Sequence, residues 1–458
     1  MPGPDEPTRP SSLGPEAPTG RIDTGPDAPT RRTAFTTQRL RVIARSALAD
    51  TRPLRTPAYR RLWSAGVVTV VGSQLSVVAV PTQIYQLTNS SAYVGLTGVF
   101  GLVPLVVFGL WGGAIADVMD RRVLLLASGG GIALSSLALW VTAASGVGGV
   151  WSVLVLFAVQ TALLAINQPT RNAVIPRLLP AEQLPAANAL NMTVQQVGAI
   201  AGPLLAGVLI PVVGLPTLYL IDAIALLATL WATWRLPSLP PEKAVTRRAG
   251  ARQVIEGFRY VALHKVLLVS FLIDVVAMGF GMPRVVFPEM AHTVFGDPIA
   301  GGPALGLLFA AIPIGMVVAG LFSGWLTHVR RQGVAVTIAI CTWGVGIALF
   351  GLSGSLWFAV LFLAVAGAGD MVSSAFRNSM LQTVATDDMR GRMQGVFTVV
   401  VVGGPRLADL WHGPAAAAVG PSAAVAAGGF ATIVFAIVVV AVFPVFWRYR
   451  APVAADRP

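Results

Sequence analysis

Twelve apolar stretches, each long enough to cross a bilayer, follow one another from residue 61 onward. A membrane-spanning helix needs roughly 20 such residues. The stretches fall near 61–86, 93–116, 122–145, 150–171, 188–212, 216–236, 264–290, 303–326, 333–354, 356–378, 393–416 and 421–447. In hydrocarbon no water meets a free backbone N–H or C=O, so each segment must close its own hydrogen bonds, and a helix does so. A β-barrel would show short alternating segments instead. Charge agrees with this reading. Only 11% of the chain is Asp, Glu, Lys or Arg, where soluble domains carry about 25%. The expected fold is an all-α membrane protein.

The basic residues are placed unevenly. Arg121, Arg122, Arg171, Arg177, Lys243, Arg247, Arg248, Arg252, Arg259, Lys265, Arg330, Arg331, Arg377, Arg390 and Arg392 read as members of alternate loops. The other loops, near 87–92, 146–149, 213–215, 291–302, 355 and 417–420, hold no Lys or Arg. Cytoplasmic loops are the Lys/Arg-rich ones. The pattern therefore predicts an even number of spans with both termini cytoplasmic. The net charge of +12 is distributed between apolar segments, so nucleic acid is not an expected partner. Residues 1–55 are rich in Pro, Thr, Gly and Arg without apolar periodicity and read as a disordered cytoplasmic tail rather than a signal peptide. The remaining divisions are a six-helix bundle over 56–236, a cytoplasmic linker over 237–262, a second six-helix bundle over 263–450 and a short tail, 451–458.

The two bundles repeat. Arg171-Asn172-Ala173-Val174-Ile175 follows the fourth stretch, and Arg377-Asn378-Ser379-Met380-Leu381 follows the tenth, an offset of 206 positions. Paired repeats about a central site permit alternating access.

Between the second and third stretches stands Gly113-Ala114-Ile115-Ala116-Asp117-Val118-Met119-Asp120-Arg121-Arg122. It resembles the signature loop of the major facilitator superfamily through Gly113, Asp117, Arg121 and Arg122. Val118 stands where a basic residue is usual, and Asp120 where a Gly is usual. The equivalent loop near 323–331 is degenerate, with His328 at the acidic position. A glycine allows close helix approach, and a carboxylate can cap the positive end of a helix. Gly113, Asp117, Arg121, Arg122, Arg390 and Arg392 are thus expected to form a conformational latch at the cytoplasmic face. The bland reading is a tight turn with solvated charges.

Beyond that loop the chain resembles the enterobactin (siderophore) exporter branch. The marks are Ala79-Val80-Pro81-Thr82-Gln83-Ile84, Arg284-Val285-Val286-Phe287-Pro288, Ala311-Ile312-Pro313-Ile314-Gly315, and the loop from Met380-Leu381-Gln382 to Arg390-Gly391-Arg392. The resemblance implies twelve helices in two pseudo-symmetric bundles and export of a siderophore-like or drug-like molecule by proton antiport. It also implies a cavity lined by the first, fourth, seventh and tenth helices, making Gln83 and Gln160 candidate cargo contacts.

Ionisable residues inside a membrane cost at least about 2.5 kcal/mol each on insertion scales and need a partner or a function. The eleventh stretch carries Arg406, Asp409 and His412, spaced three and three, so that neighbours meet along one helix face. An Arg–Asp pair offsets desolvation, and a His beside an Asp suits proton coupling. The seventh carries Asp274 and Arg284, with Gly279, Gly281 and Pro283 between them weakening the helix. Arg284 and Asp409 lie at comparable depth and are candidates to pair. These five residues are proton-coupling or substrate candidates. Asp370 is a further polar cavity candidate or the partner of a loop arginine, and Asp222 reads as a structural hydrogen-bonding residue. The plain alternative is an ion pair or interhelical hydrogen bond, and for Arg284 a fixed gate residue that never meets cargo.

Other chemistries are missing. The sole cysteine, Cys341, lies in an apolar run, and His264, His292, His328 and His412 are scattered, so no metal site is expected. No phosphate loop or nucleotide fingerprint occurs, so no cofactor and no enzymatic activity are expected. The reading is a monomeric, multi-pass transporter of the bacterial cytoplasmic membrane that draws on a proton gradient and exports a small molecule. Its rivals are an importer or uniporter of the same fold and a non-transporting membrane sensor or scaffold.

Overall fold

The computed structural model describes residues 50–240, 251–385 and 387–451, with side chains described except at 110–114, 116–118, 251–255, 387–388 and 390–399. The tail expected over 1–55 falls largely outside this range, as do residues 241–250 of the linker expected over 237–262. So do the side chains of the latch candidates Gly113, Asp117, Arg390 and Arg392.

Every expected stretch is helical. The spans are α1 (Pro57–Thr88), α2 (Thr97–Val118, preceded by a turn of helix at Ser91–Gly95), α3 (Arg121–Ser145), α4 (Val150–Leu178), α5 (Leu184–Val213) and α6 (Leu215–Trp234). After a linker helix, Ala251–Leu263, come α7 (Lys265–Gly281), α8 (Pro303–Leu321), α9 (Gln332–Gly351), α10 (Leu356–Val384), α11 (Asp387–Val419) and α12 (Pro421–Val442). Eleven helical segments are long and apolar enough to cross a membrane among the described residues, and the 33-residue α11 is the twelfth long helix of the series. The weak point expected in the seventh span is a true break. α7 stops at Gly281, and the chain resumes as a 3-10 turn over Arg284–Val286 and a short helix, Phe287–Thr293. Pro283 lacks the N–H that would continue the ladder.

One expectation needs correcting. α4 and α10 run to Leu178 and Val384, past the apolar limits read from sequence. Arg171, Arg177 and Arg377 therefore lie on helices and not in loops.

The repeat extends through the fold. Gly214 and Gly420, again 206 positions apart, both have positive φ (80° and 88°) and terminate α5 and α11. A side chain is disfavoured in that region. Helix ends alternate between a basic face, carrying Arg121, Arg122, Arg330, Arg331, Arg448 and Arg450, and a neutral face whose connections hold no Lys or Arg apart from Arg284 after α7.

Asp120, the departure from the signature loop, caps α3. Its carboxylate accepts from the Arg122 N–H at 2.8 Å, the Ser238 hydroxyl at 2.5 Å and the Leu239 N–H at 3.2 Å. Burial pushes this carboxyl up, but the Ser238 hydroxyl and the Arg122 and Leu239 N–H groups outweigh it and hold it below its ordinary value. A depressed folded-state pKa means the stabilisation is fully present above the ordinary carboxylate value of 3.8 and is lost as pH falls through the lower folded value. Asp120→Ala should cost about 1 kcal/mol. Thermal unfolding at pH 7 should detect that cost, and repeating it at pH 3 should find the gap narrowed.

Candidate functional site

Between lipid-embedded helices the tails of lipid are as apolar as leucine, so close association relies on small residues. The two bundles meet through two such crossings near the neutral face. A Cβ on Gly95, before α2, would lie 2.7 Å from the Asp409 carbonyl oxygen and 3.1 Å from Gly413 Cα of α11. A Cβ on Gly306 of α8 would lie 2.6 Å from the Pro203 carbonyl oxygen and 3.0 Å from Gly207 Cα of α5. Pro203 and Asp409 are 206 apart, as are Gly207 and Gly413. The crossings are thus the same contact repeated about a pseudo-two-fold axis. Ser91 adds a hydrogen bond across the seam, its hydroxyl donating to the Glu289 carboxylate.

Beneath the first crossing, α11 sends Arg406 into the N-terminal bundle. Its guanidinium lies where a Cβ on Gly101 of α2 would stand, 2.9 Å from Cζ, and 5.1 Å from the ring centroid of Phe157 on α4. An arginine over an aromatic face is attracted by the ring quadrupole, by about 0.5–2 kcal/mol. Asp409 is 3.9 Å from Arg406 and buried. Arg284, at the break after α7, is exposed. Asp409 acts on it most strongly among the acids, with Arg406 and Asp370 also in range. Asp370 on α10 is half-buried and feels Arg377, Asp274 and Arg284.

The row ends in a closed ion pair. Arg377 on α10 meets Asp274 on α7 at 2.6 Å, both side chains almost wholly buried, and Arg377 also donates to the Ser373 hydroxyl at 3.1 Å. Asp274 Oδ1 has no hydrogen-bond partner. Six charges, three of each sign, thus line the C-terminal bundle from the seam toward the basic face. At the offset of 206, Asp370, Arg406 and Asp409 correspond to Leu164, Ile200 and Pro203, so the N-terminal bundle carries no copy of these three.

Several candidates lie elsewhere. His412 does not bond to Asp409. It is fully buried, its Nδ1 lies 3.2 Å from the Ala408 carbonyl, its ring packs on Trp411, and its Nε2 has no partner. The ring turns toward α12, where a Cβ added to Gly428 would lie 2.8 Å from Nε2. Gln83 and Gln160 are buried within the N-terminal bundle rather than open to cargo. Gln83 accepts from the Tyr219 hydroxyl at 2.8 Å. Gln160 donates to Ser136 at 2.9 Å, and Ser136 and Ser76 donate to Asp222 at 2.8 and 2.7 Å. Asp222 thereby ties α1, α3 and α6 together. Arg121 and Arg122, expected in the latch, donate here to carbonyls of the N-terminal bundle, Ala173 at 3.0 Å and Trp234 at 2.6 Å.

Sequence reasoning missed Arg377 as a buried partner, although the repeated Arg-Asn pair marked its position. It also missed Ser91, Gly101, Phe157 and Glu289, which carry no local motif. No group of three His, Cys, Asp or Glu residues arranged for a metal occurs among the described residues.

Comparison with known proteins agrees with the fold. The transmembrane secretion effector profile matches residues 46–450. The enterobactin exporter EntS of Shigella boydii is 30% identical over 412 residues, covering 86% of this chain and 94% of that protein. EntS of Escherichia coli is 29% identical over the same coverage. Among solved structures, the nucleoside transporter NupG superposes with a TM-score of 0.68 at 13% identity, covering 86% of this chain and 100% of that one. A bacterial homolog of the lysosomal transporter Spinster, inward-facing and unoccupied, gives 0.64 at 17% identity, covering 86% and 96%. These two show the fold alone. With twelve long helices in two repeated bundles, eleven of them apolar enough to cross a membrane, and a match over nearly its whole length, the chain is a multi-pass membrane transporter with the major facilitator fold and belongs to the transmembrane secretion effector family.

Proposed function

We propose that this chain exports a siderophore-like or drug-like small molecule across the bacterial cytoplasmic membrane in exchange for protons, by rocking of its two bundles. The basic face is cytoplasmic in this reading, with both termini inside, and the working unit is the monomer. The observation that carries it is the position of Arg406 and Asp409. They sit on α11 at the seam that must part for cargo to leave, with Arg406 held by Gly101 and Phe157 of the opposite bundle. Parting the seam removes Arg406 from Phe157 and opens Asp409 to water, from which it can take a proton. Closing it restores the Arg406–Phe157 contact. Arg284, open beside them, is placed to meet an acidic part of the cargo. Export rather than uptake follows the enterobactin exporters, 29–30% identical to this chain.

The test is proton flux in vesicles reconstituted with the full chain, against a panel of siderophores and drugs. Asp409→Asn should cut gradient-driven transport roughly 5- to 150-fold, the usual range for coupling between two sites, while exchange of cargo without a gradient persists. Full pH-gradient dependence in both Asp274→Asn and Asp409→Asn would defeat proton coupling through this row. Flux direction in inverted vesicles separates an exporter from an importer or uniporter. A sensor or scaffold would show no cargo-dependent flux at all.

A further inference from the structure

We propose that the C-terminal bundle binds one anionic phospholipid of the basic-face leaflet, its acyl chain along α9, α10 and α12 and its headgroup at an arginine corner. The groove is a cavity of about 750 Å³ whose walls include Ile338, Cys341, Val345, Leu361, Ile437 and Trp447. From Thr337 to Leu349 it follows α9 for twelve residues, about 18 Å at 1.5 Å per residue. Half of a bilayer's hydrocarbon core is about 15 Å, so one acyl chain of one leaflet spans it. Trp447 stands at the basic end, where tryptophans mark the interface.

The corner at that end has the complementary chemistry. A second cavity of about 500 Å³ is lined by Thr327, Arg330, Gln332, Ser379 and Ala451, among others. Gln332 is 8% exposed, and its Oε1 has no hydrogen-bond partner. Arg330, Arg331, Arg448 and Arg450 are exposed here, and none forms an ion pair among the described residues. The corner is built rather than loose. The Ala451 N–H donates to the Arg330 carbonyl at 3.0 Å, and Gly333 is pressed against the main chain of Phe446. The arginines suit a phosphodiester, and the orphaned Gln332 acceptor suits a hydroxyl donor on the same headgroup. Together they fit phosphatidylglycerol. A second copy of this chain docked face to face would bring the same four arginines against themselves, since a two-fold contact repeats one patch on both sides.

The full-length protein, purified in detergent, should be titrated with phosphatidylglycerol and with phosphatidylethanolamine and followed by native mass spectrometry. One phosphatidylglycerol should be retained in preference to phosphatidylethanolamine. Arg330→Gln with Arg448→Gln should weaken it about 30-fold, at about fivefold for each basic residue near a lipid surface. Cys341→Trp, which fills the groove without touching the arginines, should also displace it, and thermal unfolding checks that both variants fold. Equal retention of the two lipids overturns the proposal, as does wild-type retention by either variant. Cross-linking of Cys341 to Cys341 in the bilayer would overturn it by giving the groove to a second copy.

Discussion

Gly413→Val should wedge the neutral face open and cut transport by about fivefold to a hundredfold. The Cβ it adds would stand 2.5 Å from the Ser91 carbonyl oxygen and 2.8 Å from Gly95 Cα. Both are main-chain atoms, so no side chain can swing aside to make room. Overpacking of this kind costs about 1–3 kcal/mol. Since each 1.4 kcal/mol is about tenfold in a ratio, the closed arrangement should lose between about fivefold and a hundredfold of its population. Gly207→Val tests the symmetric crossing, where the added Cβ would stand 2.9 Å from the Gly302 carbonyl oxygen. The readout is a spin-label distance between Tyr93→Cys and Val419→Cys in a Cys341→Ser background, both sites being exposed at the neutral face. The distance should lengthen by several ångström in either glycine variant. An unchanged distance with unchanged transport would show that the glycine crossings do not control closure.

Arg377→Met should strongly destabilise the C-terminal bundle. It leaves Asp274 buried at 1% exposure with its ion-pair partner gone. Breaking a buried pair from one side costs about 3–5 kcal/mol, whereas replacing both members with apolar residues is often neutral or favourable. The double variant Asp274→Leu, Arg377→Met should therefore regain most of the lost thermal stability in detergent. The cycle also separates two roles. A double variant that is stable but cannot use a pH gradient places the pair in coupling. One that is stable and coupled assigns it to holding α7 against α10. A single Arg377→Met variant as stable as the parent would show that the pair contributes little.

The fold was legible because lipid makes severe demands. Twelve stretches of apolar residues admit one kind of backbone, and the uneven Lys/Arg placement gave their alternation. The Gly279, Gly281 and Pro283 cluster announced the break in the seventh span. Helix length was less legible. Apolar content falls before the helix does, so Arg377 read as a loop residue when it is a buried ion-pair member. The site was half legible. Arg284, Arg406 and Asp409 stood out as charges within apolar runs, and the structure gathers them. Gly101 and Phe157, the partners of Arg406, are unremarkable in sequence, because only packing between bundles gives them a role. His412 was misplaced because spacing along one helix says which side chains are adjacent and not which way each turns. Gln83 and Gln160 lie on expected cavity helices but face inward to Tyr219 and Ser136.

The charged row has an electrical consequence. With all six groups ionised, Asp274, Asp370 and Asp409 balance Arg284, Arg377 and Arg406, so swinging that bundle through the membrane's electric field performs almost no net work. Neutralising one carboxylate leaves an unbalanced positive charge riding on the moving half. A full traverse of such a charge is worth about 2.3 kcal/mol per 100 mV. Membrane voltage would then bias the stroke only while that acid holds a proton, and a voltage-clamped transport current should reveal which stroke this is.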